Sequence, residues 1–393
     1  MTNDLTFNDY TNLLNNNIVR PRVKIEMLRF ADFSVETEIT GDLINDSNAS
    51  LTVTRNNGIR RVVQFNMQNP IINNIAKNVP DMDNNFLSPR TPFRLWLGLA
   101  DDNNDTYFIS QGIYLLSTPV VVSNFAESTL TINGVDSFSL YDGTLGGELS
   151  STYTIAVGTN LYVAITDILE KQNYPLLPIL DPTYMTTVMP YTITTTSGNK
   201  LGDVLVELAG MVSANCYFDI NGYFVFAADT LDEIKASLWD FSAGDFSYEG
   251  ATNTYNYPNL FNSVVVLGSN INSMDGVTYT ATVTNTNLSS STSVGNLGYT
   301  RTNYITNNLI PSNAQCLQLA NYELKRAIAE ECDIAILCVP VYHLDVDCVI
   351  TLTDPLLNYT LERFLINSYT IPFNTGGQMS INAVSAIDIA YTN

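Results

Sequence analysis

Charge is scarce in this chain: Asp, Glu, Lys and Arg make up only 14% of its 393 residues, against about 25% in an average soluble domain. Asn, Thr and Ser take the vacant surface, which suits a chain that buries much of it against neighbouring copies. What charge there is leans one way, with 39 acidic residues, 17 basic ones and a net charge of −22. Nucleic-acid affinity rests on Lys and Arg neutralising phosphates, so this balance excludes a general nucleic-acid binder. Long apolar runs are missing too, and nothing reads as a membrane span. The start, MTNDLTFNDYTNLLNNN, lacks a basic stretch followed by an apolar core, so no signal peptide is expected. The cysteines, Cys216, Cys316, Cys332, Cys338 and Cys348, follow no framework spacing and read as free thiols made in a reducing cytoplasm.

Imidazole is scarcer still. The one histidine, His343, lies in VPVYHLDVDCVITL, and no G-x-S-x-G elbow accompanies it, so a triad has little to work with. A zinc site would need Cys332, Cys338, His343 and Cys348, whose spacing matches none of the tight knuckles. Asp345 and Asp347 lie two apart and would share one face of a strand, the arrangement a carboxylate pair needs for acid–base work. With so many carboxylates, accidental pairs are expected as well. Asp101, Asp102 and Asp105 read as hairpin-turn residues, since no closing Glu follows to make a calcium loop. The stretch DSFSLYDGTLGGELS puts Gly143, Gly146 and Gly147 after an alternating run. A phosphate loop would need a following helix and a Lys, and neither is seen, so the glycines read as a boundary between folded units.

What is present is periodicity. In the first third, SLTVT and IRRVVQFNM flank Asn56-Asn57-Gly58, a hairpin signal. FRLWLGL and YFISQGIYLL flank DDNND, a second hairpin, and STLTINGVDSFSL alternates to about Leu140; no helix is expected before about Gly158. The middle changes period: Leu161, Ile165, Ile168 and Leu169 form one helical stripe, and Leu201, Leu205, Leu208 and Val212 another. The hairpin CYFDINGYFVFA follows, turned at Asn221-Gly222. The last third returns to strands (NSVVVLGS, GVTYTATVTN, DIAILCV, CVITL, RFLINSYTIP, QMSINAVSAIDI). It is interrupted by a polar stretch, Thr284–Asn303, expected as an exposed insertion. A helix capped by Ser312 should run over 313–331.

Two segments echo each other. YLLSTPVVV from Tyr114 can be laid on FLINSYTIP from Phe364, and LTINGVDSFSL from Leu130 on MSINAVSAIDI from Met379. Any two antiparallel hairpins share period-2 alternation, so the echo alone does not decide between duplication and coincidence. The expected fold is mainly β with an α+β portion. Residues 1–148 form one antiparallel β-barrel, 149–235 a small α/β domain, and 236–393 a second barrel with an insertion around 270–310.

The order TGDLINDSNASLTVTRNNGIRRVVQFNM, LSPRTPFRLWLGL, YFISQGIYLLSTPVVV, LTINGVDSFSLYDGTLGGEL resembles the N-terminal region of baseplate hub and tail-hub proteins of tailed bacteriophages and phage-tail-like particles. NLFNSVVVLGS, AQCLQLANYELKRAIAE and VPVYHLDVDCVITLTDP continue the likeness, which covers about Arg22 to Ala390. The resemblance implies a non-enzymatic homotrimer with two similar barrels per subunit, six barrels in a ring. Its partners would be the tail tube protein, distal-tail or other baseplate proteins, a spike or tail-tip protein and the tape-measure protein. DNA would pass through an acidic lumen without stable binding, and no cofactor, metal or membrane insertion is implied. The place would be the virion tail, assembled in the host cytoplasm. Some hubs carry a C-terminal lysozyme, peptidase or receptor-binding extension; here the chain stops after the last barrel strands, so wall degradation is expected of another subunit. Two alternatives stay open: a carbohydrate-active or glycan-binding tail protein using Asp345 and Asp347, and a distal-tail ring protein that would be hexameric.

Overall fold

The computed structural model describes residues 6–14, 20–38, 49–69, 71–72, 75–76, 90–123, 128–228, 235–255, 257, 260–269, 278–307, 310–329, 332–374 and 376–386. The start of the expected insertion, around residue 270, and the strand continuation IDI lie outside these residues.

Alternating burial builds the first region. After a helix α1 (Phe7–Leu14) come β1 (Pro21–Leu28), β2 (Val35–Glu38), β3 (Ser50–Thr54) and β4 (Arg61–Gln68). The short pair β5 (Ile71–Ile72) and β6 (Ile75–Ala76) follows, then β7 (Pro92–Ala100), β8 (Thr106–Leu116), β9 (Val120–Ser123) and β10 (Ser128–Val135). In β4 and β10 every second residue is buried, including Val63, Phe65, Met67, Leu130 and Ile132, as a one-sided sheet requires.

The middle region carries β11 (Tyr153–Ile155), α2 (Leu161–Glu170), β12 (Ile179–Leu180), β13 (Ile193–Thr195), α3 (Leu201–Val212), β14 (Ala214–Phe218) and β15 (Phe224–Ala228). Both helical stripes read from the sequence are buried at Leu161, Ile165, Ile168, Leu169, Leu201, Leu205 and Leu208. They pack with Phe218, Phe224 and Phe226 in a second core, which also takes in Leu28, Phe33, Ile113 and Leu115 of the first region.

The last region adds β16 (Ser237–Ser242), β17 (Tyr248–Tyr255), β18 (Ser263–Ser269), β19 (Thr278–Thr284), α4 (Val294–Leu297), β20 (Thr302–Asn307) and α5 (Asn313–Ala329). It finishes with β21 (Cys332–Cys338), β22 (Val349–Asp354), β23 (Tyr359–Pro372) and β24 (Met379–Ser385). Strands β19, β18 and β20 form a separate three-stranded sheet. Helix α5 packs on it through Cys316, Leu319, Ala320, Leu324 and Ile328, giving this inserted unit its own core.

The echo is visible in the pairing. The first region has the strand order β3-β4-β10-β8-β7, and the last has β17-β21-β24-β23-β22. In the first, Val135 opposes Leu115, Gly134 opposes Leu116 and Thr131 opposes Val120. In the last, Val384 opposes Leu365, Ala383 opposes Ile366 and Ser380 opposes Thr370. On the far side Ile132 opposes Phe65 and Ile381 opposes Ile336. With Tyr114 laid on Phe364 and Leu130 on Met379, each of these pairs falls on its counterpart. Alternation alone would fix the parity but not the register, so these are two copies of one five-stranded Greek-key meander, in which the second strand pairs the fifth and not the third.

The two meanders are joined. Strand β3 pairs β23 from Thr54 opposite Ser368 to Ser50 opposite Pro372. This makes one 14-stranded sheet over a shared core. Among the described residues no pairing closes either meander on itself.

Four local expectations need correction. FNDYTNLL is helical, because a Thr6–Asp9 capping box starts it and Tyr10 and Leu14, one turn apart, are both buried. DSFSL is not a strand: the Asp136 carboxylate accepts the Phe138 amide and starts a 3-10 turn over Ser137–Leu140. Asp345 and Asp347 lie in the turn before β22, with Asp347 at φ +65°, so they do not share a strand face. The polar stretch Thr284–Asn303 is not simply exposed, since Asn285, Thr292 and Ser293 are buried and hydrogen-bonded beside α4.

Candidate functional site

Two of the carboxylates that the sequence singled out, Asp345 and Asp347, meet arginines at one junction of three regions. The turn between β3 and β4 docks on β14: Asn57 Oδ1 accepts the Cys216 amide at 2.8 Å, and the Gly58 amide donates to the Cys216 carbonyl at 3.2 Å. Around it stand three arginines. Arg60 lies 3.5 Å above the centre of the Tyr217 ring and donates to Asp347 Oδ2 at 2.8 Å. Arg55 Nε bonds the other Asp347 oxygen, and Arg61 Nη2 bonds Asp345 Oδ2. A further Arg61 donor reaches the Phe218 carbonyl at 3.1 Å. From the end of β10, Asp136 accepts the backbone amides of Arg60 at 2.6 Å and Arg61 at 3.0 Å.

The electrostatics follow from this geometry. The side chains of Arg60 and Arg61 are only 1% and 2% exposed, so water cannot solvate them and the carboxylates must. Burial works against the charge on Asp347, but Arg60 and Arg55 override it and hold the carboxyl below its ordinary value. Asp136 is different: burial pushes it up to about 6, against the amides of Arg60, Arg61 and Phe138, which favour the charged form. Asp345 and Asp347 are therefore each committed to arginine, and they do not face one another across a substrate gap as a glycosidase pair must.

His343 sits in an aromatic cage. Its ring centre is 5.3 Å from Phe7, 5.7 Å from Tyr10 and 5.4 Å from Trp239. Burial holds the imidazole below its usual pKa. Its nitrogens face the Tyr10 hydroxyl at 3.5 Å and the Leu238 carbonyl at 3.4 Å, and neither is a nucleophile's position. Cys332 bonds Asn253, Cys338 is buried against the Met379 carbonyl, and no group of three or more metal-ligating side chains occurs among the described residues. Asp101 accepts the amides of Asn103 at 2.8 Å and Asp105 at 2.9 Å, closing its own turn.

The glycine cluster also has a definite place. The Gly147 carbonyl accepts the Leu201 amide at 2.8 Å and the Tyr141 carbonyl accepts the Gly202 amide at 2.7 Å. Two of the four amides of the first turn of α3 are thus taken by chain carbonyls, which works against a phosphate cradle there. Gly147 has φ +95° and presses against the Tyr141 backbone, so no side chain fits. Sequence reasoning missed Arg55, Arg60, Arg61 and Asp136 as one cluster. Only the basic pair after the Asn-Asn-Gly turn hinted at it.

No protein-family model matches the sequence, and no curated protein matches it. Solved structures do. The 43 kDa tail protein of prophage MuSo2 from Shewanella oneidensis matches with TM-score 0.59 at 13% identity, over 93% of this chain and 99% of that one. A tail protein from Neisseria meningitidis MC58 matches with TM-score 0.64 at 10% identity, over 93% and 97%. Prophage tail protein gp18 from Listeria monocytogenes EGD-e matches with TM-score 0.55 at 14% identity, over 92% and 94%. The chain has the fold of these tail proteins.

Proposed function

We propose that this chain is the structural hub of a phage tail or phage-tail-like baseplate, a non-enzymatic homotrimer that adapts a sixfold tube to a threefold spike or tip. The observation that carries this reading is the register-matched pair of meanders. One chain presents two equivalent units, so three chains present six, which suits a sixfold partner on one face and a threefold partner on the other. The fold shared with tail proteins supports the same setting. In this reading 1–148 is the tube-docking barrel, 149–235 an α/β spacer and 236–393 the second barrel. The ring encloses a channel for the tape-measure protein and DNA. A net charge of −22 suits such a channel, because an acidic wall lets DNA pass without adhering. Asp345 and Asp347 serve as partners of buried arginines rather than as catalytic acids, so no wall-degrading chemistry is assigned.

Stoichiometry tests the proposal. Native mass spectrometry of the purified chain and copy counting in assembled particles should both give three copies per ring. A monomer in both settings would overturn the hub reading, and six copies per ring would point to a distal-tail ring protein.

A further inference from the structure

In the 14-stranded sheet four described strands, β2, β9, β16 and β17, have a single neighbour; β2 carries Glu36 and Glu38 and β16 carries Asp240, which leaves the other two. Strand β9 pairs only with β10, and β17 pairs only with β21. Folded proteins protect such edges with charge, proline or a covering loop. Here the exposed runs are VVVS (120–123) and TNTY (252–255), with no charge in either. Val120 is 45% exposed, Val122 43% and Tyr255 54%.

The repeat says what each edge is equivalent to. Val120 and Val121 occupy the places of Thr370 and Ile371 in β23. Ile334 occupies the place of Val63, so its neighbour Asn253 stands where Leu51 stands, and Thr254 where Thr52 stands. The pairs Thr370–Thr52 and Ile371–Leu51 form the joint between the two meanders of one chain. One joint of this kind is therefore made within the chain, and both halves of a second are left unpaired.

We propose that β9 of one copy pairs antiparallel with β17 of the next, repeating the internal β23–β3 joint. Val120 then opposes the partner's Thr254, Val121 the partner's Asn253 and Val122 the partner's Thr252. This rests on the self-assembly reading above and supplies its contact. Hydrogen-bond phase agrees. The Asn69 amide donates to the Ser128 carbonyl, so alternation along β10 turns Thr129 and Thr131 toward β9. Val120 and Val122 then bond β10, and the Val121 amide and carbonyl point to the open edge. In the internal joint the Arg55 amide donates to the Asn367 carbonyl at 2.7 Å, and the same alternation makes Ile371 a hydrogen-bonded position, the place Val121 takes. Pro119, which stands where Tyr369 does, has no amide hydrogen, so the joint between copies has one bond fewer. Charge supports the location, since two strongly acidic chains can approach most closely where neither edge is charged. Because the two edges differ, the contact is head-to-tail and propagates until a ring closes.

Cross-linking decides it. Val120 and Thr254 are proposed as a non-hydrogen-bonded pair, whose Cα separation of about 4.5 Å admits a disulfide. The double variant Val120→Cys, Thr254→Cys should give a covalent ladder ending in one closed species under mild oxidation, and neither single variant should. Ser123→Cys with Thr254→Cys is out of register and should not cross-link. Val121→Pro should weaken assembly at least about tenfold while leaving the circular dichroism unchanged. Persistent oligomers with no cross-link and no effect of proline would overturn this contact while sparing self-assembly. Equal cross-linking by the out-of-register pair would overturn the register. A wild-type chain that is monomeric throughout would remove both proposals.

Discussion

The two meanders share a register but end their first connection differently. In the first, β3 passes to β4 through a short turn around Asn56-Asn57-Gly58, and that turn docks on β14. In the second, the equivalent passage from β17 to β21 holds an entire folded unit, β18 to α5 with its own core. A hairpin end is where a chain tolerates insertion, because no interior backbone bond is interrupted. The comparison also separates two jobs. The first meander carries the arginines that tie the three regions together. At the position of Arg61 the second meander has Cys332, which bonds Asn253 on the neighbouring strand and faces the Tyr359 hydroxyl. One copy is the anchor and the other the platform for an insert.

Breaking the anchor should have the largest effect. Arg61→Ala leaves Asp345 without its arginine and opens a cavity beside Phe218. Removing one partner of a buried pair costs about 3–5 kcal/mol. Cys332→Ala, the matching change in the second meander, should cost about 1 kcal/mol. Urea unfolding of both variants measures the asymmetry, and equal losses would show that the junction is no anchor.

The pH response of the anchor should be next in size. Asp136 has a folded pKa raised to about 6, above its ordinary carboxyl value. Between those values the native state binds more protons than the unfolded one, so this group makes stability fall as pH rises through the window. Relative to Asp136→Asn, the wild type should gain up to about 3 kcal/mol as pH drops from 6 to 4. Asp347 acts oppositely: its lowered pKa stabilises above the ordinary carboxyl value, and that contribution is lost as pH falls through the folded value. A flat difference between wild type and Asp136→Asn would mean that the amide bonds cancel the cost of burial.

A third comparison uses positions that the repeat makes equivalent, Gly134 and Ala383. A methyl group on Gly134 would lie 2.8 Å from a Val63 methyl and collide with Phe93, so Gly134→Ala should cost about 1–3 kcal/mol. Ala383→Gly should cost about 1 kcal/mol, through lost burial and added backbone freedom. If Gly134→Ala were neutral in thermal unfolding, the two meanders would be packed more alike than their sequences suggest.

How much of this could be read beforehand depends on the range of the signal. The echo was legible because alternation and the repeated Ile-Asn pair (Ile132-Asn133, Ile381-Asn382) are local. So were the Asn56-Asn57-Gly58 turn and the helical stripes at Leu161 and Leu201. The junction was not legible: Arg61 and Asp345 are 284 residues apart, and they meet only because β3 pairs with β23. Asp345 and Asp347 drew attention as a pair for their spacing, yet their role is set by arginines no spacing rule connects to them. DSFSL imitated a strand because Phe138 and Leu140 continue the alternation of β10, and only the Asp136 cap ends it. Helix α1 was missed because it is only eight residues long and its support comes from the last region, where Tyr10 Oη accepts the Tyr342 amide at 2.8 Å.

The smallest effect should come from removing the insert. Replacing 256–331 by TRNNGIR, the last residue of β3 and the six that join it to β4, reproduces the connection of the first meander at the same register. The inserted unit takes its own core away with it, so neither meander loses interior contacts except at Ala329, which packs with Val349, Leu365 and Val384. Losing one buried Ala costs about 1 kcal/mol. A shorter connection lowers the entropy of loop closure by a similar amount, although the folded insert already reduces that gain. The two terms offset, and the shortened chain should unfold within about 1 kcal/mol of the parent, with β17 still presenting its open edge. A much larger loss would mean that the insert braces the second meander, and the two copies would then differ in what supports them as well as in what they carry.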